Sequence, residues 1–87
     1  MNTIPLYKLK KGESGTIINV EDNPYKMRML ELGFIRGENI TMIRKSPIGD
    51  PTAYFVKGTV VALRKAQAGY INVILISESD LSEKHRI

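Results

Sequence analysis

Residues 54–76, YFVKGTVVALRKAQAGYINVILI, read as three short strands and one turn of helix. YFVKG and TVVALRK are rich in the β-branched and aromatic residues that suit a pleated surface, and Lys57-Gly58-Thr59 between them fits a tight hairpin. KAQAG is alanine-rich and ends in glycine, which suits a single helical turn. A last strand then runs from Tyr70 to Ile76.

Upstream, SPIGDPTA is a loop: two prolines that cannot donate to a sheet ladder bracket the turn pair Gly49-Asp50. Before it, ENITMIRK alternates well enough for a strand. EDNPYKMRMLELGF carries the punctuation of a helix from about Pro24 to Leu32. Asn23 can cap it, Pro24 at the first helical position loses no needed N–H, and Gly33 fits a left-handed stop. Spacing places Met27 and Leu30 on one buried face, and Phe34 can fold back on Met29. The opening IPLYKLKKGESGTIINV reads as an extended lead-in, a glycine-bounded turn and a strand from Thr16 to Val20. The sum is about five short strands, one helix and a helical turn, the pattern of a small, mainly β, partly open barrel. One domain over residues 1–76 is expected, with the polar tail 77–87 fraying.

The chain has 87 residues, 43% hydrophobic and 25% charged, with mean hydropathy −0.16. These values belong to ordinary globular chains. No apolar run approaches the roughly 18 residues that could cross a bilayer, and the N-terminus has no secretory pattern. A cytosolic location is the expectation. With no cysteine, thiolate metal sites and thiol nucleophiles are excluded. The one histidine, His85, lies in the polar tail, so no metal or cofactor is expected.

Catalysis needs convergent groups, and the sequence offers no phosphate-cradling glycine loop, nucleophile triad or carboxylate pair in an apolar setting. An enzyme is not expected. Asp50 is read as bonding backbone N–H groups of its own turn rather than as a cation ligand. Glu31, Asp50 and His85 are the only loose candidates for a metal-sensing site. The net charge of +4 favours anionic partners in general, but the 13 basic residues are scattered in ones and twos. Arg44 and Lys45 before the loop, and Arg64 and Lys65 after the fourth strand, are read as solvated strand ends. Tyr54 and Phe55 are adjacent and so face opposite ways in a strand, which denies a nucleic acid one stacking platform. A binding module fits best, with Ile35, Ile48 and Tyr54 as the apolar residues nearest its loops.

Four separated elements carry a resemblance: LELGF at the helix end, RG two residues on, the SPIGDP loop, and VALRKAQAGYINV near the end. In this order and spacing, from about Lys8 to Val73, the chain resembles the FeoA family, ferrous iron transport protein A. The resemblance implies an SH3-like β-barrel in the bacterial cytosol, acting as an accessory or regulatory protein on the membrane GTPase and ferrous iron permease FeoB. It supplies the iron connection, which the residues alone do not. On this reading Leu32, Gly33, Phe34 and Ile35, with Pro47, Ile48, Gly49, Asp50 and Pro51, form the partner contact. The same barrel resembles the C-terminal domain of metal-dependent repressors, so a repressor-related or nucleic-acid-binding small barrel is the alternative. No nucleic acid is expected as partner, the membrane is reached only through FeoB, and the open sheet edges allow a homo-oligomer.

Overall fold

The computed structural model describes residues 2–76. Six antiparallel strands form one sheet in the order β1-β6-β2-β3-β4-β5, an open barrel whose two edge strands stay unpaired with each other. The strands are β1 (Thr3–Pro5), β2 (Ser14–Val20), β3 (Asn39–Lys45), β4 (Thr52–Val56), β5 (Thr59–Leu63) and β6 (Ile71–Ile76). Helix α1 spans Lys26–Leu32, the expected helical turn α2 spans Lys65–Ala68, and a short 3-10 turn covers Leu6–Lys8. The sixth strand, β1, is the lead-in expected only to be extended. It is three residues long and ends in Pro5, too short to show alternation, and proline is tolerated there because β1 is an edge paired only with β6. The tail expected to fray lies outside the described residues.

The barrel curves because β2 serves two neighbours. Ser14 to Thr16 pair with β3, while the whole strand pairs with β6 through a register shift between Ile17 and Asn19. A second shift between Met42 and Arg44 bends β3 along β4. Bulges of this kind strengthen the twist and let a short sheet close on itself. Gly15 sits where both ladders meet, opposite Ile40 and Leu75. Between β4 and β5 the two-residue turn Lys57-Gly58 has φ of 50° and 75°, the double positive φ of the hairpin turn that matches strand twist.

Helix α1 stops as its sequence requires. Gly33 takes φ 106°, its N–H donates to the Leu30 carbonyl at 3.1 Å, and the Phe34 N–H donates to the Met29 carbonyl at 3.0 Å. Those are the two bonds of a Schellman stop, and they deliver Phe34 into the core beside Met29. At the other end the Asn23 side-chain oxygen accepts the Tyr25 N–H at 2.7 Å, and the helix proper begins at Lys26. The expected buried pair is corrected: Met29 is the buried residue of α1, while Met27 and Leu30 are exposed. Met29 is the one fully buried residue of this seven-residue helix, and in so short an element the spacing alone left the inward side open between two registers.

The core draws on every strand except β1 and on both helices, with Leu6, Ile17, Met29, Phe34, Ile40, Tyr54, Ile71 and Val73 sealed from water. Tyr54 is the only buried aromatic with a hydroxyl. Its burial pushes the phenol up to about 12, with nearby Asp50 adding to the rise and Thr52 opposing it. Because the folded pKa exceeds the ordinary 10.0, this group's contribution to stability is complete below pH 10.0 and is lost as pH climbs through about 12. Of the four tyrosines, one is therefore expected to give phenolate absorbance only near the alkaline end of a titration. That component should vanish in Tyr54→Phe, whose thermal stability should fall less steeply between pH 10 and 12 than that of the native chain.

Candidate docking site

The nine residues expected at the partner contact fall into two places. Leu32, Gly33, Phe34 and Ile35 form the corner between α1 and β3. Gly33 lies under the aliphatic stem of Lys57, so close that a Cβ at Gly33 would sit 3.1 Å from Lys57 Cγ. This corner therefore adjoins the β4–β5 hairpin. Pro47, Ile48, Gly49, Asp50 and Pro51 lie at the other end of the β3–β4 pair, about 20 Å away at roughly 3.3 Å per strand residue.

Within the first group, Leu32 is half-buried, Ile35 is 40% exposed and Phe34 is 0% exposed. Phe34 is thus a core residue, and of these four only Ile35 is exposed. Within the second, the loop closes on itself through Ser46 N–H to Pro51 carbonyl at 3.0 Å and Gly49 N–H to Ser46 carbonyl at 2.8 Å. Ile48 stands at its tip, 90% exposed. Asp50 does not bond its own turn as expected. One carboxylate oxygen accepts the Lys65 backbone N–H at 2.9 Å, fifteen residues on. It satisfies a free N–H at the start of α2, whose capping is completed by Gln67 Oε1 accepting the Arg64 N–H at 2.9 Å. The other Asp50 oxygen is 3.9 Å from Arg64, an open ion pair of little energetic weight. Tyr54, a candidate near a loop, is in the core, whereas Phe55 beside it points outward.

A groove that the sequence did not single out runs between α1 and the free edge of β5. Tyr25, Arg28, Leu32, Val60, Ala62 and Gln67 line it, above Met29. Tyr25 is 48% and Val60 60% exposed, and Leu30 of α1 and Ile35 just past it are exposed too. The signal was present in TVVAL, which is apolar on both faces: Val61 and Leu63 point inward, so Val60 and Ala62 must point out. No group of three His, Asp or Glu side chains that could hold a metal occurs among the described residues. Glu31 is on the exposed side of α1 and Asp50 is in the distant loop, while His85 lies outside the described residues. Among the described residues no helix is long and apolar enough to cross a membrane.

Comparison with known proteins places this geometry in a family. The FeoA domain model matches residues 4–75. A fusion of Fe(2+) transport protein A with the Fe(2+) transporter FeoB, from Porphyromonas gingivalis, is 36% identical over 78 residues. That match takes in 88% of this chain but only 9% of the fusion protein. The crystal structure of Stenotrophomonas maltophilia FeoA with zinc, described as a prokaryotic SH3 domain protein, superposes with a TM-score of 0.73. It is 32% identical, over 85% of this chain and 91% of that one. A manganese-dependent transcriptional repressor shares the fold, at TM-score 0.77 and 18% identity, over 87% of this chain and 38% of its own. The extent of the family match and the shared SH3-like barrel lead to one assignment: the chain belongs to the FeoA domain family, which is linked to ferrous iron transport.

Proposed function

We propose that this chain is a cytoplasmic accessory protein of bacterial ferrous iron uptake that docks on FeoB through the groove between α1 and β5. The observation that carries the reading is the fusion relative, in which a domain 36% identical to this chain shares one polypeptide with FeoB. Tethering raises the effective concentration of two modules that act on each other, and a separate chain must replace the tether with affinity. The groove supplies what a transient docking site needs: exposed Tyr25 and Val60 as apolar anchors, Arg28 at its margin, and an open strand edge to which an extended segment can add. No catalytic group is required. The domain acts by binding one state of FeoB more tightly than another, a coupling of about 1–3 kcal/mol in typical cases.

Calorimetric titration against the soluble GTPase region of FeoB, with and without a GTP analogue, tests the reading. Saturable binding is expected, weakened at least about tenfold by Tyr25→Ala with Val60→Asp, since each lost anchor typically costs 1–2 kcal/mol or more. Binding to full-length FeoB but not its GTPase region would move the contact to the membrane-embedded part. Binding to neither would sink the proposal.

A further inference from the structure

Basic residues that look scattered in sequence are gathered by the fold. One groove is lined by Lys8, Lys10, Lys11 and Lys45 around Tyr7, and the next by Lys45 and Lys65 with Gly49 of the Ser46–Pro51 loop. Arg44 lines the adjoining groove along the same loop, and Arg64 reaches Asp50. Seven of the eleven Lys and Arg residues in 2–76 therefore line these adjoining grooves or pair with the loop's Asp50, against two of the six carboxylates, Asp50 itself and Glu13, which accepts the Lys10 N–H. The other four cations, Lys26, Arg28, Arg36 and Lys57, are matched by Glu21, Asp22, Glu31 and Glu38. The excess positive charge of the described chain thus lies wholly on the loop side. None of the five lysines there has a carboxylate within ion-pair distance among the described residues. Ile48, the most exposed large apolar side chain among the described residues, belongs to the same Ser46–Pro51 loop.

We propose that the Ser46–Pro51 loop and its lysines form a docking surface for an anionic lipid bilayer. Such a bilayer offers a match for both chemistries of this surface: phosphate headgroups for Lys8, Lys45 and Lys65, and acyl chains for Ile48. A nucleic acid offers no apolar layer, and the aromatic ring at hand, Tyr7, is half-buried with Lys65 Nζ 5.1 Å from its centre. An acidic peptide would leave the isoleucine tip without a pocket. Pro47 and the bonds closing the loop hold Ile48 outward, so insertion loses little chain freedom. The inference is independent of the FeoB reading, and its test uses no FeoB.

The chain contains no tryptophan, so Ile48→Trp introduces a single fluorescent reporter at the loop tip. The full chain would be mixed with vesicles of phosphatidylcholine alone and with about a third phosphatidylglycerol. Co-sedimentation with the anionic vesicles only is expected, falling as salt is raised, with a blue shift of the Ile48→Trp emission on binding. Lys8→Glu with Lys45→Glu should weaken binding more than tenfold, each lysine near an anionic surface being worth about a fivefold factor. Ile48→Asp should weaken it as well. All these side chains are exposed, and unchanged thermal unfolding of the variants would confirm that they fold. Equal binding to neutral vesicles, no binding to either, or anionic binding without a blue shift would each overturn the proposal. Equally tight binding to a short DNA duplex at the same salt, indifferent to Ile48→Asp, would replace it with nucleic-acid binding.

Discussion

Gly15→Ala is expected to lower the melting temperature by about 5–20 °C, although it adds only one methyl group to a small residue in a strand. A Cβ at Gly15 would lie 2.9 Å from Val73 Cγ2, 3.0 Å from Val73 Cβ and 3.2 Å from the Ile74 carbonyl oxygen. Real contacts at such distances are repulsive, and two of the three atoms are a branched Cβ and a backbone oxygen that cannot swing aside. Gly15 cannot retreat either, because it is held on both sides, opposite Ile40 of β3 and Leu75 of β6. Overpacking of this kind costs about 1–3 kcal/mol, and each kcal/mol moves the midpoint of a domain this size by roughly 4–8 °C. The higher β-propensity of alanine works the other way but spans less than about 1 kcal/mol. Thermal unfolding by circular dichroism reads the effect, and a second variant assigns its cause. Val73→Ala removes Cγ2 from the contact, so the double variant should be less destabilised than the two single changes added together. Additive losses would show that the clash is relieved by backbone movement elsewhere.

The glycine at this crossing illustrates what sequence reading could and could not reach. Local grammar was legible wherever neighbours in sequence fix each other: the αL stop at Gly33, the Lys57-Gly58 hairpin and the turn at KAQAG are all two-to-five-residue events. Opposite orientation of Tyr54 and Phe55 followed from the pleat alone. Strand β1 was not legible because its reason for being extended lies in β6, some seventy residues away. The same holds for Gly15, whose tightness depends on Val73, and for Asp50, whose carboxylate serves the start of α2 instead of its own turn. In each case the partner that decides the conformation is distant in the chain, and only the folded barrel brings it near.

The candidate docking surface was legible in a different proportion. The sequence pointed to two stretches as if they were one surface, because a motif series carries order along the chain and no separation in space. The β3–β4 pair stands between them. Charge was read as scattered for the same reason: Lys8, Lys45 and Lys65 come from three segments that meet only after folding. The groove at β5 went unnoticed although TVVAL lacks a polar face, since a strand apolar on both sides reads equally well as a buried one.

Phe34→Ala is expected to leave little or no folded protein at physiological temperature, and this separates the two meanings that the LELGF corner could have. If Phe34 were displayed to a partner, its loss would weaken binding and spare stability. The ring is instead fully buried, and its backbone N–H is held on the Met29 carbonyl at 3.0 Å by the helix stop. Truncating a sealed phenylalanine costs about 3–5 kcal/mol, against the roughly 5–15 kcal/mol by which whole domains are stable, and a chain this small sits toward the low end. Ile35→Ala, one residue on and 40% exposed, should cost less than about 1 kcal/mol. Chemical denaturation of the two variants gives the comparison, with Phe34→Leu as a milder core change that stays folded for binding measurements. The expected pattern is a large loss for Phe34→Ala, and native affinity for FeoB in Phe34→Leu once it is folded. A folded Phe34→Ala protein with native stability and lost affinity would mean that the ring leaves the core when the partner arrives. Burial of Phe34 is what aims the corner: with the ring anchored inward and Gly33 turning the chain, Ile35 is set on the outer side, while the half-buried Leu32 lines the groove along β5. A family signature at this corner is therefore accounted for by the physics of the turn, and any partner specificity has to reside in the exposed residues on either side of it.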